Sequence, residues 1–178
     1  MSKNVMVIGT GTIGEPLIGL LAEHKDALGL EEILFFKRTP LSDEKGKVEA
    51  LLRKGAKIVS TSDVISDFKK LGFSDIEDVE KAYKDAGVII DCTPSGNENW
   101  ENIYSTLDQS KRFMAQGSEH GFGPFFAWGI NNDVLENGSN KYLIASCNTH
   151  NIASIIKTFA LDQSRELVEG QFVCLRRA

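Results

Sequence analysis

Cysteine is scarce in this sequence: Cys92, Cys147 and Cys174 are an odd three, with no paired metal-ligand spacing. That speaks against a disulfide scaffold and a thiolate metal centre; it reads as reduced thiols in the cytoplasm, and no metal is expected. Long apolar runs are missing as well. The longest are far too short to span a bilayer, and the opening residues do not form a secretory signal, so no membrane contact is expected. There is no basic stripe. The net charge is -5, and Lys and Arg are scattered, densest only at Lys37-Arg38, Lys69-Lys70 and Arg176-Arg177. Nucleic acid is therefore excluded as a general partner. Internal repeats and low-complexity tracts are absent too. What remains is a chain of 178 residues, 42% hydrophobic and 25% charged, the balance of an ordinary globular protein with a well-buried core.

Short apolar runs alternate with helical periodicity along the chain. Residues 4–8 (NVMVI), 31–36 (EEILFF), 56–60, 87–91 (GVIID), 112–115, 141–145 and 167–175 read as strands. Helical spacing covers 12–24, with Pro16 tolerated in the first turn, then 42–54, 75–86, 98–107 and 152–161. Strands alternating with helices predict parallel crossover units. The expected fold is α/β, a doubly wound, mostly parallel sheet with helices on both faces. The glycine-rich stretch 117–129 is expected to be a long loop, and loops of that length often carry function.

Gly9-Thr10-Gly11-Thr12-Ile13-Gly14 is a G-x-G-x-x-G run that follows the first strand directly and opens the first helix. In that context Gly9 permits a tight turn, Gly11 lets a pyrophosphate approach the backbone, and Gly14 lets helix and strand pack closely. The helix N-terminus adds free N–H groups and a positive dipole end. The pattern predicts a Rossmann-type dinucleotide site. Such domains place an acid on the ribose 2′-hydroxyl about 20 residues later, at the end of the second strand. Here that strand ends in Lys37 and Arg38, with Glu31 and Glu32 at its other end. Two cations in that place suit a 2′-phosphate, so NADP is expected in preference to NAD.

Ser146-Cys147-Asn148-Thr149 lies between a strand and a helix. A thiol in the first turn of a helix feels the dipole, which favours the nucleophilic thiolate. A cysteine there also suits a small core position, and the residues alone leave both readings open. Cys92 and Cys174 are expected to be shielded within or beside strands.

Taken in order, the glycine turn, Asp91-Cys92-Thr93-Pro94-Ser95-Gly96, Gln116-Gly117-Ser118-Glu119-His120, Ser146-Cys147-Asn148-Thr149 and Leu175-Arg176-Arg177-Ala178 resemble archaeal glyceraldehyde-3-phosphate dehydrogenase. The resemblance covers the whole chain. It implies that Thr12 and Ile13 line the cofactor turn, that Lys37 lies near the adenosine ribose, and that Thr93, Pro94, Gly96 and Gly117 border the dinucleotide, with Arg177 contacting it. Cys147 would be the catalytic nucleophile, and Ser146, Asn148 and Thr149 would touch a phosphorylated aldehyde. In such an enzyme the thiolate attacks the aldehyde, hydride passes to the nicotinamide, and phosphate releases an acyl phosphate.

Two departures stand out: Ile8 where the family has Asn, and His150-Asn151 where the family's run reads Thr-Gly. The resemblance divides the chain into a dinucleotide-binding domain over 1–146 and, over 147–178, a cysteine helix and the first strand of an incomplete catalytic domain. The family's general base is a later histidine with no counterpart here. A chain stopping at Ala178 is therefore expected to bind cofactor but oxidise aldehyde poorly alone, and to self-associate through the unpaired edge of the strand over 167–175. His120 and His150 are the histidines nearest the expected site. A related thioester-forming reductase such as aspartate-semialdehyde dehydrogenase, and a free-standing NADP(H) sensor, remain open beside this reading.

Overall fold

The computed structural model describes residues 2–116, 119–161 and 167–175. Two expected site residues, Gly117 and Arg177, lie outside the described residues. The elements run β1 (Val5–Ile8), α1 (Gly14–His24), β2 (Ile33–Phe36), α2 (Lys45–Arg53), β3 (Lys57–Ser60), α3 (Ile65–Lys70), β4 (Ile76–Asp78) and α4 (Val79–Asp85). They continue with β5 (Val88–Asp91), α5 (Gly96–Asn102), β6 (Arg112–Gln116), β7 (Phe125–Phe126), β8 (Lys141–Ile144) and α6 (Cys147–Phe159). One sheet contains all eight strands of the described residues, in the order β4-β3-β2-β1-β5-β6-β8-β7. Every pairing is parallel. The fold is a Rossmann-type α/β sheet, and it is wholly rather than mostly parallel.

Alternation along each strand explains why both faces are covered. In β1, Val5 and Val7 join one core cluster while Met6 and Ile8 join the other. In β2, Ile33 and Phe35 go with the first pair and Leu34 with the second. The period of two sends successive apolar side chains to opposite faces, so a continuous apolar run is what a doubly covered strand needs. On the first face α1 buries Ile18 and Ala22, and α2 buries Val48 and Leu51. On the second, Ala82 and Tyr83 of α4 meet Tyr104 and Phe113, and Trp100 sits edge-on to Phe113 at 5.3 Å between ring centroids.

Several expectations need correction. Residues 76–78 form a strand rather than helix, because pairing with β3 outweighs local helical spacing. Asp78 then ends the strand and caps α4, accepting from Glu80 N–H at 2.9 Å. The short α3 was not anticipated; it is held by Phe68, buried against Phe73. The helix expected over 98–107 ends at Asn102 and is followed by a 3-10 turn, Tyr104–Thr106. The expected loop over 117–129 contains β7, two residues paired to the end of β8.

Residues 167–175 form no strand. They have no ladder partner among the described residues, and Val168, Val173 and Leu175 project into solvent. A lone apolar segment gains nothing from extension without a sheet to join. Cys174, expected to be shielded, is exposed for the same reason. Among the described residues no helix is long and apolar enough to cross a membrane.

Candidate functional site

In a parallel sheet all strands point the same way, so the segments after them gather along one edge. The strand order reverses between β1 and β5: the chain builds outward from β1 through β4, then returns and builds outward from β5. Ligands in open α/β sheets bind beyond the carboxyl ends of strands at such a reversal. A cleft of about 590 Å³ opens there. Its walls are Ile8, Gly9 and Thr10 after β1, Phe36 to Thr39 after β2, and Thr61 and Asp63 after β3. Val79, Glu80 and Tyr83 of α4 and Thr93, Ser95, Asn99 and Ile103 after β5 complete it. A second hollow of about 350 Å³, around Gly72 and Phe73, lies away from this edge.

The glycine turn has distinct constraints at its three glycines. Gly9 has φ +93°, a left-handed conformation that side chains disfavour. A Cβ on Gly14 would stand 1.9 Å from the Gly9 carbonyl oxygen, so the helix approaches the strand more closely than any side chain allows. At Gly11 an added Cβ meets nothing within 4 Å. The backbone is open to a ligand at that point, which is the space a pyrophosphate needs. Thr12 and Ile13 are exposed on the same turn.

Across the reversal, Asp91 fixes the loop after β5. Its fully buried carboxylate accepts four hydrogen bonds: from Thr93 N–H at 2.8 Å and Thr93 Oγ1 at 2.6 Å, and from Asn99 Nδ2 and Tyr104 OH, each at 2.7 Å. Four donors compensate the cost of burying this group. Thr93 is thus held at the cleft wall, while Pro94 points to solvent. Gly96 is tightly enclosed: a Cβ there would press on Ala115 at 3.0 Å and Glu119 at 3.1 Å. Glu119 accepts from Asn97 N–H at 2.8 Å. Burial, together with Asp91, pushes the neighbouring Cys92 thiol up to about 11.

The end of β2 differs from the sequence expectation. Lys37 does not stand free: it is buried and pairs with Glu44, the residue just before α2. Its hydrogen bond and charge hold the Glu44 carboxyl below the usual carboxylate range, with Lys47 adding to the effect. Arg38 is exposed and lines the cleft. The charged spacing over 42–54 suggested only a solvent-facing helix, so Glu44 and Lys47 were missed. Thr61 and Asp63 were legible in principle, since they follow a strand the sequence suggested.

Cys147 opens α6 beyond the end of β8, on the same edge but three strands from β1, about 14 Å at the usual strand spacing. It is exposed and does not line the cleft. Ser146 caps the helix, accepting from Thr149 N–H at 3.3 Å, with its Oγ also 2.9 Å from Thr149 Oγ1. Both hydroxyls are therefore engaged with each other. Asn148 lies half-buried in the first turn. His150 Nε2 contacts the Trp128 carbonyl at 3.1 Å, which only accepts; the ring therefore donates from Nε2 and, when neutral, leaves Nδ1 unprotonated. The His120 ring lies against Phe125 at 6.0 Å.

No family model matches the chain. Among curated proteins it is 30% identical over 178 residues to the glyceraldehyde-3-phosphate dehydrogenase of Sulfolobus acidocaldarius, covering 98% of this chain and 48% of that protein. Against the enzyme of the same name from Pyrobaculum calidifontis it is 29% identical over 161 residues, 89% of this chain and 44% of that protein. The chain is thus similar in sequence to part of the archaeal glyceraldehyde-3-phosphate dehydrogenases. It spans about half the length of these curated relatives. Among solved structures, aspartate semialdehyde dehydrogenase II of Vibrio cholerae superposes with a TM-score of 0.52 at 10% identity, over 88% of this chain and 46% of that one, a likeness of fold.

Proposed function

We propose that residues 1–146 bind a nicotinamide dinucleotide, NADP in preference to NAD, and that Cys147 is the nucleophile of a phosphorylating dehydrogenase acting on a phosphorylated aldehyde such as glyceraldehyde 3-phosphate. One observation carries the reading. The glycine turn sits at the sheet's reversal, with Lys37 and Arg38 to one side of it and the cysteine helix to the other, all on one edge. A dinucleotide lying across the turn has its adenosine at the β2–β3 side and its nicotinamide toward β8. The relatives' names support the substrate class.

The residues divide the work accordingly. Gly9, Gly11, Thr12, Ile13 and Gly14 receive the pyrophosphate on open backbone. Lys37 and Arg38 meet the ribose end, and Thr93, Pro94 and Gly96 border the rest; for Gly117 and Arg177, outside the described residues, only the resemblance supports a cofactor contact. The bound nicotinamide supplies hydride acceptance. Cys147 attacks the aldehyde carbon, aided by its place at a helix N-terminus, while Ser146, Asn148 and Thr149 surround the carbonyl.

Titration of the 178-residue polypeptide with NADP and NAD tests the proposal. NADP should bind more tightly, and Arg38→Ala should narrow the gap without weakening NAD. Equal or tighter binding of NAD overturns the cofactor preference, and binding of neither overturns the dinucleotide reading.

A further inference from the structure

Four charges run in line from the end of β2 to the first turn of α1, beside the glycine turn. Lys37 is 7% exposed and pairs with Glu44 Oε2. Glu44 Oε1 lies 3.9 Å from Lys47 Nζ, and Lys47 reaches on to Glu15 at 3.1 Å and to the Thr10 carbonyl at 3.4 Å. Two cations and two anions cancel within this line. Among the described residues Arg38, which lines the cleft together with Asp63 and Glu80, has no ion-pair partner.

We propose that Glu44 sets the discrimination between NADP and NAD, by holding Lys37 in a pair that a ribose 2′-phosphate must break to be recognised. The inference rests on the dinucleotide reading above. A buried ammonium needs an anionic partner in every state, because an uncompensated buried charge is costly. Glu44 is the more exposed member of the pair, at 29%, so it is the one able to turn out to water. A 2′-phosphate brings about 1.5 to 2 negative charges and takes its place on Lys37. NAD carries only a hydroxyl there and leaves the pair closed. The displacement of Glu44, and its repulsion of an incoming phosphate, therefore fall on NADP alone. The cation at the end of β2 is thus only half of the selectivity device. The acid that tempers it comes from the turn that leads into α2.

Calorimetric titration with adenosine 2′,5′-bisphosphate and with 5′-AMP isolates the 2′-phosphate, with NADP and NAD as the full-length counterparts. Glu44→Gln keeps a polar neighbour for Lys37 and removes the charge. The bisphosphate-to-AMP affinity ratio should rise about tenfold, the worth of one charge-assisted contact, with AMP affinity unmoved. Adding Lys37→Met to Glu44→Gln should abolish the gain. If Glu44→Gln does not fold, Glu44→Asp, which shortens the reach to Lys37, should raise the ratio in the same direction. An unchanged or lowered ratio, or equal changes for both ligands, overturns the inference alone. Failure of the folded wild-type chain to bind any of the four ligands overturns the dinucleotide reading and this inference together.

Discussion

Tyr104 donates its hydroxyl to Asp91 across 2.7 Å in the protein core, and both side chains are buried. The tyrosine follows α5 and the aspartate ends β5, so this bond ties the segment after the strand back onto it. Tyr104→Phe removes one donor from a buried carboxylate and should cost about 1.5–3 kcal/mol of folding stability. Denaturant unfolding measures it. A loss within the roughly 0.5 kcal/mol of an ordinary surface substitution would mean that the bond contributes nothing net.

Alkaline pH should weaken the fold through the same cluster. Burial, followed by Asp91 and Glu80, pushes the Tyr83 hydroxyl from its ordinary 10.0 up to about 12. Burial, followed by Asp91, raises Tyr104 further in the same direction. Above pH 10.0 the unfolded chain releases protons that the native chain retains. Stability is therefore fully present below that pH and falls as pH rises through the folded values. Urea midpoints on either side of pH 10 should show the decline, and Tyr83→Phe with Tyr104→Phe should flatten it. An equally steep decline in the double variant would assign it elsewhere.

The glycine turn allows fold and ligand to be separated. Gly14→Ala drives a Cβ to 1.9 Å from the Gly9 carbonyl oxygen, and should destabilise the protein by at least about 1–3 kcal/mol through overpacking. Gly11→Ala meets nothing within 4 Å and should leave the melting temperature unchanged while weakening dinucleotide binding. Thermal melts with and without NADP read both effects. Unimpaired NADP binding by Gly11→Ala would remove that position from the pyrophosphate site.

The three thiols should differ in alkylation at neutral pH. Cys92 is partly buried and its thiol is pushed up to about 11, so it should react least. Cys147 and Cys174 are both exposed, but only Cys147 lies at a helix N-terminus, and it should label first. Time-resolved mass-spectrometric mapping gives the order. Faster labelling of Cys174 than of Cys147 would show that exposure alone governs reactivity here and would count against the nucleophile assignment.

The central strands were legible because a doubly covered strand is apolar at successive positions, as β1 is from Val5 to Ile8. The glycine turn was legible because its spacing coincided with the strand-to-helix junction. β4 was not, since residues 76–78 have the spacing of a helix and become a strand only by meeting β3, 18 residues earlier at the Ile58–Ile76 register. The strand expected over 167–175 failed for the converse reason: its residues have the right type and, among the described residues, no ladder to join. Lys37 was recognised as a cation beside the ribose end. Its pairing with Glu44 was hidden, because a contact seven residues apart spans the turn between strand and helix and leaves no periodic trace.

Among the described strands, hydrogen-bonded pairing passes from β1–β4 to β5–β8 only through the ladder of β1 with β5, four residues on each side. The cleft draws on residues after β1, β2 and β3 from one half and after β5 from the other. A ligand seated there grips both half-sheets directly above the single ladder that joins them. Loading the cleft then adds contacts across a seam that is otherwise spanned by this ladder and by the core packed beneath it.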